Sequence, residues 1–155
     1  AINDGAVSGA VRPQNGSWGS GKDWSVWNGS KVEDLARDND DLMRNWRKII
    51  EASTNCATAA TRNEALDQLG RNALLALSSD WAFMVTKDSA ADYARGRHNG
   101  HHRDFRRLAS SITAALDGHR KGWDIAEQVA RGQRSSNGPF GHLDGRLLNR
   151  HPFGG

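Results

Sequence analysis

Residues 89–116 read SAADYARGRHNGHHRDFRRLASSITAAL, and within them Ala94, His98, His101, Phe105, Leu108, Ile112 and Ala115 recur at alternating steps of four and three. That spacing keeps one stripe on one side of a helix and leaves the intervening arginines on the other. Ser89-Ala90-Ala91-Asp92 has the form of a capping box, so the helix is expected to open there and to run to about Leu116. Gly118 and Gly122 close the pattern.

The same periodicity extends in both directions. Upstream, Thr61-Arg62-Asn63-Glu64 is a second capping box and predicts a helix over 62–86. Its first half is one-sided through Leu66, Leu69 and Ala73. From Ala73 to Val85 almost every face is apolar, which predicts that this half, Trp81 included, is enclosed by other elements. Earlier still, Leu35, Leu42, Trp46, Ile49 and Ile50 place a helix at 31–53, with Asn28 or Ser30 as its cap and Glu33 and Asp34 favoured in its first turn by the helix dipole. Downstream, Trp123, Ile125, Ala126 and Val129 predict a short helix over 123–131. The fold class expected is therefore all-α: a bundle of three long helices and one short one over residues 31–132. A Gly/Trp-rich leading loop (1–30), in which no helix is expected to persist, precedes the bundle, and an irregular tail (133–155) follows it. No internal repeat interrupts this plan.

Composition narrows the function classes. The 155 residues suit one domain and are too few for a catalytic barrel of about 250 residues. The chain starts at Ala1 with neither an initiator methionine nor a secretory leader, and it reads as a fragment or processed part. It lacks the run of roughly 18 apolar residues that a membrane span requires, so no membrane partner is expected. Leu, Ile, Val and Phe make up only 27 of 155 residues, but six tryptophans, each able to bury about 150–250 Å², offset the shortage. Sixteen arginines and five lysines are interleaved with 18 acidic residues rather than gathered in a block, which argues against a nucleic-acid partner. A lone Cys56 excludes disulfide frameworks and multi-cysteine zinc patterns and fits a reducing, cytoplasmic setting.

Asn15-Gly16-Ser17-Trp18-Gly19-Ser20-Gly21-Lys22-Asp23-Trp24-Ser25-Val26-Trp27 sets three tryptophans among glycines rather than on a periodic face. Two roles are open to them: plugging the end of the bundle, or stacking on a sugar, whose apolar C–H face suits an indole and whose hydroxyls suit its N–H. The segment lacks the terminal Gly-Lys-Ser/Thr of a phosphate-binding P-loop. His98, His101 and His102 lack the HExxH pattern and continue the inner stripe, so they are read as packed or hydrogen-bonded residues, and no metal or other cofactor is expected. Arg95, Arg97, Arg103, Arg106 and Arg107 read as a solvated face, with docking to an acidic surface as the other use. Asp80 has no second carboxylate at a glycosidase spacing, and no catalytic residue is assigned.

Several of these segments together carry a resemblance. Ser17-Trp18-Gly19, Val26-Trp27, Ser79-Asp80-Trp81-Ala82-Phe83, Tyr93-Ala94, the series Arg97, His101 and Phe105, Gly122-Trp123 and the tail Pro139-Phe140-Gly141-His142-Leu143-Asp144 fall in the order and at the spacing of one family. Over about residues 15–146 the chain resembles the C-terminal helical domain of the glycoside hydrolase family 57 α-glucan branching enzymes. It departs from that pattern at Ser20, where an acidic residue is common, at Ala82 in place of proline, at His98 in place of an aromatic, and at Gly141-His142-Leu143.

The resemblance implies a catalytic (β/α)₇ barrel upstream of Ala1, carrying a glutamate nucleophile and an aspartate acid/base, with this helical domain closing over its cleft. Trp18 and Trp27 match the tryptophans that line glucan subsites. The implied reaction is retaining transglycosylation of an α-1,4-glucan onto a 6-hydroxyl, with the chain inactive alone. The implied partners are an α-glucan and that upstream barrel. Two alternatives are the same domain of a 4-α-glucanotransferase and a non-catalytic helical module that binds a protein through its arginine face and glycine-rich ends.

Overall fold

The structure, a computed structural model, describes residues 16–54, 56 and 61–145, and among these it is all helical. After a 3₁₀ turn at Ser20–Lys22 come α1 (Ser25–Asn28), α2 (Glu33–Thr54), α3 (Glu64–Ala76), α4 (Ser79–Lys87), α5 (Ala91–Leu116) and α6 (Gly122–Arg134). The stretch that opened the sequence argument forms α5, and every member of its predicted stripe is buried. That helix is the axis of the bundle: α2, α3, α4 and α6 all pack against it.

Three expectations are corrected. The helix predicted over 62–86 is two helices, because Leu77-Ser78-Ser79-Asp80 places helix-starting chemistry inside the apolar run. Ser78 is extended, with φ −56° and ψ 127°, and the Trp81 indole N–H donates to the Leu75 carbonyl at 2.8 Å, closing the corner. As a result α4 is not enclosed on all sides: only Val85 is fully buried, and Trp81, Ala82, Phe83 and Met84 are half-buried. The three long helices and one short become two long helices and three of 9–13 residues, with a single turn, α1, inside the loop where none was expected.

The caps shift as well. Asn63, not Thr61, caps α3, its side-chain oxygen accepting from the Ala65 and Leu66 amides at 2.9 and 3.2 Å. Ala90, not Ser89, precedes α5 and supplies no side-chain cap. A turn closed by the Val32 amide on the Gly29 carbonyl, at 2.9 Å, separates Asn28 and Ser30 from α2, although Glu33 and Asp34 do occupy its first turn.

Two apolar clusters lie along α5. The larger joins Leu42, Trp46, Ile49 and Ile50 of α2 to Leu66 and Leu69 of α3, to Phe105, Leu108 and Ile112 of α5 and to Ala126 and Ala130 of α6. The smaller gathers Val32, Leu35, Val85 and Ala94, with Trp81, Ala82 and Met84 packed on it. Between them is a polar layer. The His98 and His102 rings pack at 4.2 Å with their planes tilted by 39°, and both Nε2 atoms meet the Asn39 side-chain oxygen, at 3.1 and 2.9 Å. That oxygen accepts from both rings, so His98 and His102 are packed and hydrogen-bonded as expected, whereas buried His101 is packed but neither of its ring nitrogens has a hydrogen-bond partner among the described residues.

Of the predicted tail, residues 133–134 complete α6, 135–145 are irregular but anchored, and 146–155 lie outside the described residues. Asp67 accepts the Gly145 amide at 2.7 Å and the Arg62 Nε–H at 2.7 Å, while the Arg71 Nε–H is shared between the Pro139 and Phe140 carbonyls at 3.0 and 3.2 Å. The polar side of α3 is buried beneath it, at Asp67, Gln68, Arg71 and Asn72. Among the described residues, no helix is long and apolar enough to cross a membrane.

Candidate functional site

The smaller cluster supports an aromatic end built from the leading loop and α4. Each residue of Ser17-Trp18-Gly19 has a distinct task there. The Ser17 hydroxyl accepts the Trp24 backbone amide at 2.8 Å, folding the loop back on itself. Gly19 has φ +118°, a conformation that side-chain-bearing residues rarely adopt, and a Cβ there would stand 2.8 Å from the Val26 side chain. Trp18 lies between these two fixed points and leans on Phe83 of α4, centroids 5.5 Å apart and planes at 56°.

Trp27, from the single turn α1, reaches the same phenyl ring at 6.5 Å. The structure thus brings the two sequence-predicted site residues, Trp18 and Trp27, onto one platform, Phe83. The Thr86 hydroxyl donates to the Val26 carbonyl at 2.8 Å and ties α1 to α4. The Lys87 ammonium sits 5.5 Å from the centre of the Trp18 ring, within cation–π range. Even so, Trp18 remains 59% exposed and Trp24 52%. Ordinary core tryptophans would not leave so much apolar surface in water.

Trp24 was not singled out in the sequence as a site residue. Its φ of 67° is unusual for a bulky side chain, and its carbonyl accepts from the Trp27 and Asn28 amides at 2.9 and 3.0 Å. The strained position turns the indole outward beside a cleft of about 370 Å³, whose walls include Trp24, Trp27, Leu35, Asn39, Trp81 and His98. A volume of that size suits a small ligand. Phe83 was also missed as a platform; its place in Ser79–Phe83 marked it, but the apolar run around it read as core. Beside the cleft, Trp81 stacks on His101 at 6.0 Å and meets the 61%-exposed Tyr93 edge-on at 6.5 Å.

Burial disfavours the charged form throughout the polar layer, whose Asn39 and His98 also line the cleft. Burial lowers the His98 pKa, and burial followed by the charge of His98 lowers that of His102 to about 4. Burial and then the charge of Arg97 lower that of His101. Among the described residues, no group of three or more His, Cys, Asp or Glu side chains is placed to hold a metal ion. The described geometry offers aromatic faces beside a cleft, an arrangement that can bind and position a ligand.

Residues 41–147 match the family described as 1,4-alpha-glucan branching enzyme, C-terminal. The chain belongs to this branching-enzyme C-terminal family. Among its relatives, a protein named "Probable 1,4-alpha-glucan branching enzyme" from Mycobacterium tuberculosis, strains CDC 1551 and H37Rv, is 42% identical over 152 residues, covering 96% of this chain and 28% of the relative. The 1,4-alpha-glucan branching enzyme of Thermococcus kodakarensis is 31% identical over 105 residues, covering 63% of this chain and 14% of the relative. No solved structure matches. The chain thus spans little more than a quarter of the mycobacterial relatives' length. At 96% coverage their alignment runs through the Trp18–Trp27 loop, which precedes the family match.

Proposed function

We propose that this chain is the C-terminal helical part of a retaining α-1,4-glucan branching enzyme of the glycoside hydrolase family 57 type, in which Trp18 and Trp27 offer stacking faces to the glucan. The observation that carries the reading is the convergence of both indoles on Phe83, with Trp18 left more than half exposed. Pyranose rings present C–H faces at regular intervals along an α-glucan, and two indoles on a common support can meet successive faces. The chemistry belongs to a separate catalytic domain, where a carboxylate nucleophile forms the glycosyl-enzyme and a 6-hydroxyl replaces water as acceptor. The helical part supplies orientation, and the exposed aromatic surface it carries supports that role.

The test uses the intact protein that carries this chain. α-1,6 linkages formed on amylose are measured for the parent and for Trp18→Ala and Trp27→Ala. Each substitution is expected to lower the rate by about tenfold or more, the loss that accompanies about 1.4 kcal/mol of transition-state positioning. Unchanged branching in both variants would remove the subsite role, and products holding only rearranged α-1,4 links would point to a 4-α-glucanotransferase.

A further inference from the structure

A second cleft, of about 530 Å³, lies between α3, α6 and the tail, lined by Arg62, Arg71, Arg131 and Arg134 along with Glu64 and Asp67. The charges do not balance. Arg62 is paired with Asp67 at 2.7 Å, and Arg131 with Glu64 at 3.3 Å, its Glu127 contact being looser at 3.7 Å. Arg71 and Arg134 bond to uncharged groups instead. Arg71 donates to the Pro139, Phe140 and Gly141 carbonyls and to the Gln68 amide oxygen. Arg134 donates through one nitrogen, Nη1, to the Gly138 and Pro139 carbonyls at 2.6 and 3.3 Å. Two guanidinium charges are therefore left without a carboxylate among the described residues, one of them on a side chain in the protein's interior. Burial, and then the neighbouring charge of Arg134, lower the Arg71 pKa, and Arg62 adds to this while Asp67 opposes it.

We propose that this cleft binds a phosphate monoester of a sugar-sized alcohol. A phosphate monoester carries about −1.5 to −2 at neutral pH and three strong acceptor oxygens, which matches two unneutralised guanidinium groups in both charge and geometry. Among the described residues no bond occupies the Arg134 Nε–H and Nη2 hydrogens or the Arg131 Nη2, so bidentate contacts can form there without breaking the bonds that hold the tail. The volume exceeds what inorganic phosphate needs and lies within the range of small-ligand sites. The site is independent of the aromatic end, and the proposal stands or falls separately from the glucan reading.

Isothermal titration calorimetry on the intact protein tests it, with glucose 6-phosphate, inorganic phosphate and glucose as probes and with Arg134→Gln and Arg131→Gln as variants whose melting curves confirm folding. Saturable binding of glucose 6-phosphate, weakened about tenfold in each variant and further by added salt, is the expected result. Preference for the sugar phosphate over inorganic phosphate would support the proposal, and equal affinity for inorganic phosphate would overturn its sugar part, leaving an anion site only. Binding of glucose alone as tightly, unchanged affinity in both variants, or no saturable binding at about 10 mM would overturn it.

Discussion

Ser17 and Trp24 are joined by a 2.8 Å hydrogen bond from the Trp24 backbone amide to the Ser17 hydroxyl, and this link closes the loop that presents three tryptophans. Trp24 is held in the left-handed region at φ 67°, so the hydroxyl opposes relaxation of a strained residue. Ser17→Ala is expected to cost only about 0.5–1 kcal/mol, because water can reach the freed amide. Its clearer effect is dynamic: exchange of the Trp24 amide hydrogen should accelerate, and Ser17→Thr should restore the slower rate. Equal exchange in parent and Ser17→Ala would mean that the bond does not hold the loop.

Gly19 carries a stronger constraint. Its φ of +118° and the 2.8 Å approach to Val26 act together, so Gly19→Ala adds both backbone strain and a clash with a buried side chain. A loss of about 1–3 kcal/mol is expected. Because the damage is local to the aromatic end, the loop should also become more susceptible to proteolysis. Thermal or urea unfolding checks the first point, and an unaltered midpoint would contradict the assigned backbone conformation.

The histidine layer sets a pH dependence. A histidine whose folded pKa is depressed binds fewer protons in the folded than in the unfolded state, so its contribution to stability is whole above the unfolded value of about 6.5 and is lost as pH falls toward the folded one. For His102 that window runs from about 6.5 down to about 4, with burial as the leading cause and the charge of His98 next. Asp34 and Asp38 of α2 and Arg95, Arg106 and His101 of α5 are the charged or titratable neighbours of the pair, and the two aspartates oppose the shift only in part. About 2–3 kcal/mol should disappear between pH 6.5 and 4.5 in urea unfolding. His102→Gln should flatten that slope, and a parent protein equally stable at both pH values would refute it.

The bundle was legible because α5 is a long helix whose apolar period is undisturbed over seven stripe positions, from Ala94 to Ala115. The break at Ser78 was not, since an all-round apolar stretch reads as one buried helix. The physical reason for that surplus is that Phe83 serves the exposed aromatic end, while Trp81 packs on the smaller cluster and lines the cleft. Trp18 and Trp27 were visible from their setting among glycines and from the motif, whereas Trp24 was hidden because its role depends on a left-handed φ that no propensity for tryptophan would suggest. The burial of Asp67, Gln68, Arg71 and Asn72 was equally hidden, because their cover comes from tail residues about 70 positions away.

Asp67 is the most direct test of that tail. Its two oxygens are divided between the Gly145 amide and the Arg62 guanidinium, and Gly145 is itself pressed against α3, where a Cβ would lie 2.8 Å from the Leu66 backbone. Asp67→Ala removes the acceptor for a buried amide and the partner of Arg62 at once. Leaving a buried donor unsatisfied costs about 1–3 kcal/mol, and the half-exposed arginine adds little because water screens it, so a loss of about 2–3 kcal/mol is expected. Asp67→Asn keeps an acceptor oxygen for Gly145 and should recover most of that loss, separating the hydrogen bond from the ion pair. If the two variants unfold at the same urea concentration as the parent, the tail is not anchored through Asp67, and the arginine-lined cleft beside it would lose one of its walls.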